Sequence, residues 1–439
     1  LHLQSVVMPV RSIAWSGGFL IIAVGLSNVF QFLYNAYLGR VLSLEHFGTV
    51  SLIGSFMLLA FIMFGGIAIT ISHRSAQLFG KRVGMPYMQW WMRAQLAMMP
   101  VSFVMTALWV ITAPFFQYLF HEPSMLPWIL VAPVWIIGTA SAITGGLLSG
   151  TMRFGGVAWM TLIEMGMKFV FALLFVSLGF SYLVYAALPA AMFLSLLFGF
   201  LALKKFSSVA EEKDSLPAKG VSRRFLGAAL LGQVATIAVL TLDVILAKYY
   251  LPADAAGEYA LLSIAGKMVF FLGGLCGQFI TPLISEREGR GENSNTLWTQ
   301  LFSAGVGVLL IGVLFFGFLG HITIPILLGS RANAIVGLLP MYSITMAFFS
   351  ATMLLATYHQ ARKHYSFSLV VFFLMSTPII SILMLHASVA EIAKAMFIAS
   401  SINLSVALLL HEFLSYREYK KKQELSTATS DKKRILIYN

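Results

Sequence analysis

Twelve runs of about 20 or more mostly apolar residues, separated by short polar connections, constrain this chain more than any other feature. They fall near residues 13–38, 46–71, 95–118, 126–150, 155–178 and 182–203, then 225–246, 258–283, 298–319, 333–357, 366–385 and 391–414. Each is long enough to cross a bilayer as a helix, and lipid demands that backbone polar groups be satisfied within the segment. Only 10% of the 439 residues are charged and 59% are hydrophobic, with a mean hydropathy of +0.86. Soluble domains carry about 25% charged residues, so a soluble enzyme, a nucleic-acid-binding module and a disordered scaffold are excluded. The expected fold is all-α and polytopic. The segment after Arg11 reads as a retained helix, because no small-residue cleavage site follows it.

The net charge of +12 is a matter of topology. With the amino terminus inside, 23 of the 29 Lys and Arg fall on the inner face, and only Arg40, Lys248, Arg331 and Lys394 fall outside. That bias predicts both termini on the cytoplasmic side. The outer connections are too short to hold a catalytic domain. The polar stretch Lys204-Lys-Phe-Ser-Ser-Val-Ala-Glu-Glu-Lys213 reads as a hinge between two sets of six spans. The expected organisation is an amino-terminal six-helix lobe (1–205), a cytoplasmic linker (206–224), a second six-helix lobe (225–415) and a basic cytoplasmic tail (416–439).

The halves echo each other. Asn35-Ala-Tyr-Leu-Gly-Arg40, followed by Glu45 and Gly48, aligns with Asp243-Val-Ile-Leu-Ala-Lys248, followed by Asp254 and Gly257. An even number of spans per half makes the repeats parallel, an arrangement that places a substrate between two rocking lobes. The pairs Gly146/Gly150 and Gly273/Gly277 have the spacing of close helix packing.

Four ionisable residues lie deep within spans, where a charge costs roughly 2.5–3.5 kcal/mol to insert: Glu164, Lys168, Asp243 and Lys267. Glu164 and Lys168, four apart, share a helix face; they form either a neutralised pair that eases insertion or a charged patch on a cavity wall. Asp243 reads as a cavity-facing, proton- or ion-responsive acid, or as the structural partner of Lys267 or Lys248. Lys267 is too deep to snorkel and reads as an anion contact. Arg40 and Arg153 lie at helix ends, and Arg153 is placed to receive an anionic headgroup through its planar fork. The single Cys276 excludes an intrachain disulfide, and neither a metal-ligand spacing nor a cofactor motif is present.

The stretch Tyr37-Leu-Gly-Arg40-Val-Leu-Ser-Leu-Glu45-His-Phe-Gly48, with Leu242-Asp243 through Lys248 to Gly257 and on to Gly266-Lys267, resembles the Wzx-type polysaccharide-transport flippases of the multidrug/oligosaccharidyl-lipid/polysaccharide exporter superfamily. The matching motifs occupy about 15% of the chain, whereas the layout matches throughout. The resemblance implies two lobes of six helices around a cationic central cavity. It also implies movement of undecaprenyl-diphosphate-linked sugar repeats to the outer leaflet of the bacterial cytoplasmic membrane, for O-antigen, capsule or exopolysaccharide, with proton or cation antiport as the drive. Arg40, Asp243, Lys248 and Lys267 match the family pattern; Arg153 and Lys168 join them by position. The expected partners are the lipid-linked oligosaccharide, membrane lipids and the polysaccharide polymerase and glycosyltransferase machinery, without nucleic acid. Twelve spans set the chain apart from the fourteen-helix lipid II flippase relatives.

The alternative is a cation-coupled multidrug efflux pump of the same superfamily. Two further readings are weaker. Gly80-Lys-Arg-Val-Gly84 faintly resembles the major-facilitator loop motif but lacks its aspartate, and a membrane-bound ligase would need an outer loop or a His/Asp constellation.

Overall fold

The computed structural model describes residues 10–80, 87–205, 223–289, 294–362 and 364–437. The 81–86 loop and most of the expected 206–224 linker therefore lie outside the described residues. Within them the chain is helical, and no strand occurs. Twelve helical stretches are long and apolar enough to cross a membrane, matching the twelve runs in the sequence.

The first half comprises α1 (Val10–Val41), α2 (Leu44–Gly80), α3 (Tyr87–Leu119), α4 (Leu126–Val131), α5 (Val134–Gly150), α6 (Phe154–Ser177) and α7 (Ala187–Lys205). The second comprises α8 (Arg223–Tyr250), α9 (Ala253–Gly289), α10 (Asn295–Gly312), α11 (Gly320–Leu328), α12 (Leu339–Ala361), α13 (Tyr365–Leu374), α14 (Ser376–Met384) and α15 (Val389–Ile437). The fourth and eleventh spans are each broken in two. Pro133 stands between α4 and α5, where it cannot donate to the helix ladder, and Pro378 stands in the first turn of α14. The connection near 320–332, expected on the outer face, is not an open loop: it contains α11, and a 3-10 turn over Ser330–Leu338 leads into α12. Gly329 joins them at φ +85° and ψ 179°, a conformation reserved for glycine.

At 37 residues, α2 and α9 are each about 55 Å long, well beyond a hydrocarbon core of about 30 Å. The tail expected from 416 is a direct continuation of α15, helical to Ile437.

The two halves pack by the same plan. In the first, α1 lies on α6, α2 on α5, α5 on α3 and α7, and α6 on α7. In the second, α8 lies on α13 and α14, α9 on α12, α12 on α10 and α15, and α14 on α15. Span for span these are equivalent contacts, so the parallel repeat is a property of packing as well as of sequence. The α2–α5 contact is close because Gly146 and Gly150 press against Ala68, Ser72 and Ser75; a Cβ on Gly146 would fall 2.7 Å from the Ala68 carbonyl oxygen. In the equivalent α9–α12 contact the small residue stands on the other partner, where Gly273 meets Ser350. Gly277 has only ordinary contact with Leu354.

Between the halves, α2 runs along both α8 and α9, whereas the equivalent flank, α1 against α9, is held over a much shorter stretch. We call the end where α1 meets α2 and α8 meets α9 the distal end, and the opposite one proximal.

Candidate functional site

Three polar constellations that hold most of the charged residues singled out above lie in the apolar interior among the described residues. The first lies within the second half. Asp243 on α8 is 1% exposed, and its Oδ1 sits 3.1 Å from Lys267 Nζ on α9. Its Oδ2 accepts hydrogen bonds from Tyr342 OH on α12 at 2.6 Å, Ser263 Oγ at 3.0 Å and Tyr259 OH at 3.2 Å. A carboxylate offers about four lone-pair sites, so this one is saturated by four donors. Tyr259, Ser263 and Lys267 are spaced by four and share one face of α9. The cluster thus clamps α8, α9 and α12. Of the two roles expected for Asp243, the geometry is that of a structural partner, and the partner is Lys267 rather than Lys248. Lys267, expected to contact an anion, has its ammonium engaged by that carboxylate.

The second constellation bridges the halves at the distal end. Lys248 Nζ, at the end of α8, lies 2.9 Å from Glu122 Oε1, and both side chains are buried. Thr49 Oγ1 on α2 donates to the same carboxylate at 2.8 Å. His121, in the left-handed region at φ 54°, turns the chain between α3 and α4 so that Glu122 follows it inward. Around this ion pair the distal end is shut by backbone contact. Gly48 and Gly257, aligned by the sequence repeat, face each other: a Cβ on Gly48 would lie 3.4 Å from Gly257 N. Arg331 Nη1 donates to the Leu42 carbonyl at the end of α1, and the exposed Arg40 lies against Gly329. Arg40 and Lys248 are therefore parts of a closed distal seam.

The third lies in the first half. Lys168 on α6 donates from Nζ to Gln31 Oε1 on α1 at 2.9 Å and sits 4.2 Å from the centre of the Tyr34 ring. It makes no ion pair with Glu164, the partner its spacing suggested; the longer reach to α1 wins. Glu164 instead lines a cavity of about 360 Å3 between α2, α5, α6 and α7, together with Phe61, Phe64, Met160, Met165 and Met192. Arg153 stands at the start of α6, at the proximal end and apart from these groups.

Glu122, Thr49 and Tyr342 are absent from the sequence-based candidates. Glu122 sits in a short connection, where an acid looks solvated, and Tyr342 lies 99 residues from Asp243. In the sequence the cluster shows through the deep charges Asp243 and Lys267 and through the Tyr259–Ser263–Lys267 spacing, and nothing there points to Tyr342.

No protein-family model matches the sequence, and no curated protein does. Solved structures do. An inward-facing multidrug resistance MATE family transporter of the MOP superfamily superposes with a TM-score of 0.70 at 14% identity, over 88% of this chain and 94% of that one. The lipid II flippase MurJ, in an inward closed conformation, gives 0.67 at 14% identity, over 90% of this chain and 87% of that one. An outward-facing MATE transporter gives 0.57 at 13% identity, over 92% and 95%. At these identities the likeness is one of fold.

Proposed function

We propose that this protein is an alternating-access flippase. On this reading it carries undecaprenyl-diphosphate-linked oligosaccharide repeat units from the inner to the outer leaflet of the bacterial cytoplasmic membrane for cell-surface polysaccharide. Both termini are cytoplasmic, so the distal end faces outward. The observation that carries this reading is Lys168. Lys248 and Lys267 are ion-paired with buried carboxylates, whereas Lys168 donates to the neutral Gln31, faces the Tyr34 ring and forms no direct ion pair with Glu164 one turn away on the same helix. An ammonium beside an amide and an aromatic face suits a diphosphate joined to sugar hydroxyls. The thinly held flank between α1 and α9 adjoins the helix that carries Gln31 and Tyr34, and leaves a polyprenyl tail in contact with lipid. Expected partners are the lipid-linked substrate and the polymerase and glycosyltransferase machinery that make and use it. The decisive experiment is deletion of the gene followed by sidedness analysis of lipid-linked oligosaccharide. Accumulation in the inner leaflet supports the reading, and unchanged distribution refutes it.

One observation favours a second reading, extrusion of lipophilic cations. Glu164 is a carboxyl group in a cavity walled by Phe61, Phe64 and three methionines, a setting that suits an aromatic or alkylated cation. A drug-sensitivity panel in the deletion strain separates the two: hypersensitivity to lipophilic cations, abolished by complementation with wild type but not with Glu164→Gln, supports the pump.

A further inference from the structure

Three histidines at the proximal end of the second half take no part in the constellations above. His359, in the last turn of α12, is 1% exposed. Its Nδ1 lies 3.1 Å from Nδ1 of His364, which begins the approach to α13, and its Nε2 lies 2.9 Å from Nδ1 of His411 on α15. Both separations are those of N–H···N hydrogen bonds, so both ring nitrogens of His359 are engaged at once. The ring stacks on Phe367 of α13 with centroids 4.2 Å apart, and His411 packs against Trp298 of α10 at 5.9 Å.

The charged and titratable groups around His359, among the described residues, are few. Its own helix presents Tyr358 and Arg362, whose Nη1 donates to the Tyr358 hydroxyl at 3.0 Å. His364 comes from the turn and His411 from α15, while α10 and α13 present the rings of Trp298 and Phe367. Glu412, next to His411 in the chain, points outward and is exposed. A bound metal would draw the nitrogens toward one point at about 2.0–2.1 Å each. Here they run in a line with His359 in the middle, and no group of three or more ligating side chains among the described residues could hold an ion.

We propose that His364, His359 and His411 form a proton relay. With one proton per ring, both contacts are satisfied in either of two directions. In one, His364 Nδ1–H donates to His359 Nδ1, and His359 Nε2–H donates to His411 Nδ1. A proton arriving at His364 Nε2 displaces the Nδ1 proton to His359, whose Nε2 proton passes to His411 Nδ1, and His411 releases its own from Nε2. One proton enters and one leaves. Every bond then points the other way, and the chain must be reset by ring rotation before it carries another. A cavity of about 210 Å3 against α8, α12 and α13, whose polar wall is Gln233, Thr236, Thr357, Gln360 and Ser368, opens beside the same turn. The relay links α12, α13 and α15, whatever the protein carries.

The test is nuclear magnetic resonance of the full chain with 15N-labelled histidine in lipid nanodiscs, taken from about pH 8 to about pH 5, where imidazole titrates. In the wild type, both His359 nitrogens should report N–H···N bonding, and His364 and His411 should change tautomer together. In His359→Gln, the two outer rings should titrate as separate groups. Should that variant not fold, His411→Gln keeps the contact between His359 and His364 and should lose only the coupling to the far ring. Independent titration of the three rings in the wild type would overturn the relay. So would stoichiometric Zn2+ shifting all three resonances together, which would make the triad a metal site.

Discussion

Replacing Gly257 by alanine should prise the distal seam open. Gly257 is the fifth residue of α9 and lies against the start of α2. An added Cβ would fall 2.6 Å from the Leu44 carbonyl carbon, closer still to its oxygen, and 2.9 Å from Leu44 Cβ, where ordinary contact begins at 3.4 Å. The obstacle is backbone, with no side-chain rotamer to yield, so the helices must separate by roughly 1.2 Å to bring the carbonyl oxygen back to ordinary contact. Overpacking of this kind costs about 1–3 kcal/mol. The cost applies to the closed state alone, so it moves the balance between closed and open by about 5- to 150-fold. Gly48, its equivalent in the repeat, is the internal control: a Cβ there meets Gly257 N at 3.4 Å and Cα at 3.5 Å, which alanine tolerates. The assay is pulsed electron paramagnetic resonance in lipid, with spin labels at the exposed Met125 and Leu319 on opposite halves and Cys276→Ser removing the native thiol. Gly257→Ala should add a population at longer distance, while Gly48→Ala should superimpose on the parent. A folded Gly257→Ala protein with the parental distance distribution would refute the reasoning.

The remaining predictions concern the buried charges. Glu122→Gln strands Lys248 in the seam and should cost about 3–5 kcal/mol of closed-state stability, with Lys248→Met in the same chain recovering most of it; a double variant no better than the single would contradict the pairing, as read by the same distance measurement. Lys267→Met leaves the Asp243 carboxylate uncompensated and should lower the melting temperature in detergent more than the Lys267→Met/Asp243→Asn double variant does. Tyr342→Phe removes a 2.6 Å bond to that carboxylate and should cost about 1.5–3 kcal/mol, measured by the same melting experiment. Lys168→Gln should abolish export of the lipid-linked repeat unit without changing the amount of folded protein; full export would remove Lys168 from the proposed substrate path.

The spans were legible because crossing lipid is a one-dimensional requirement: a run either has enough apolar length or it does not. The repeat was legible for a related reason, since Gly48 and Gly257 each mark a helix start that must pass close to something. What each meets, namely the other half of the same molecule, is a long-range fact. The charges show the limit most clearly. Spacing pointed to Glu164 and Lys168 as partners because they are neighbours on one helix, yet Lys168 reaches across to Gln31 on α1. Asp243 and Lys267 were visible as buried charges, but the donors that complete the cluster include Tyr342, which no local pattern connects to them.

The sequence by itself determined that this chain is a membrane-spanning all-α protein with a parallel internal repeat, because hydropathy and helix length are local quantities. Tertiary structure alone decided which charges are satisfied. A lysine in a span looks the same in sequence whether it faces a cavity or a carboxylate. Only packing brought Glu122 to Lys248, Asp243 to Lys267 and three histidines from α12, the following turn and α15 into one line. The cost of burying a charge depends on its neighbours in space, and those come from helices that the chain brings together over distances no sequence window contains.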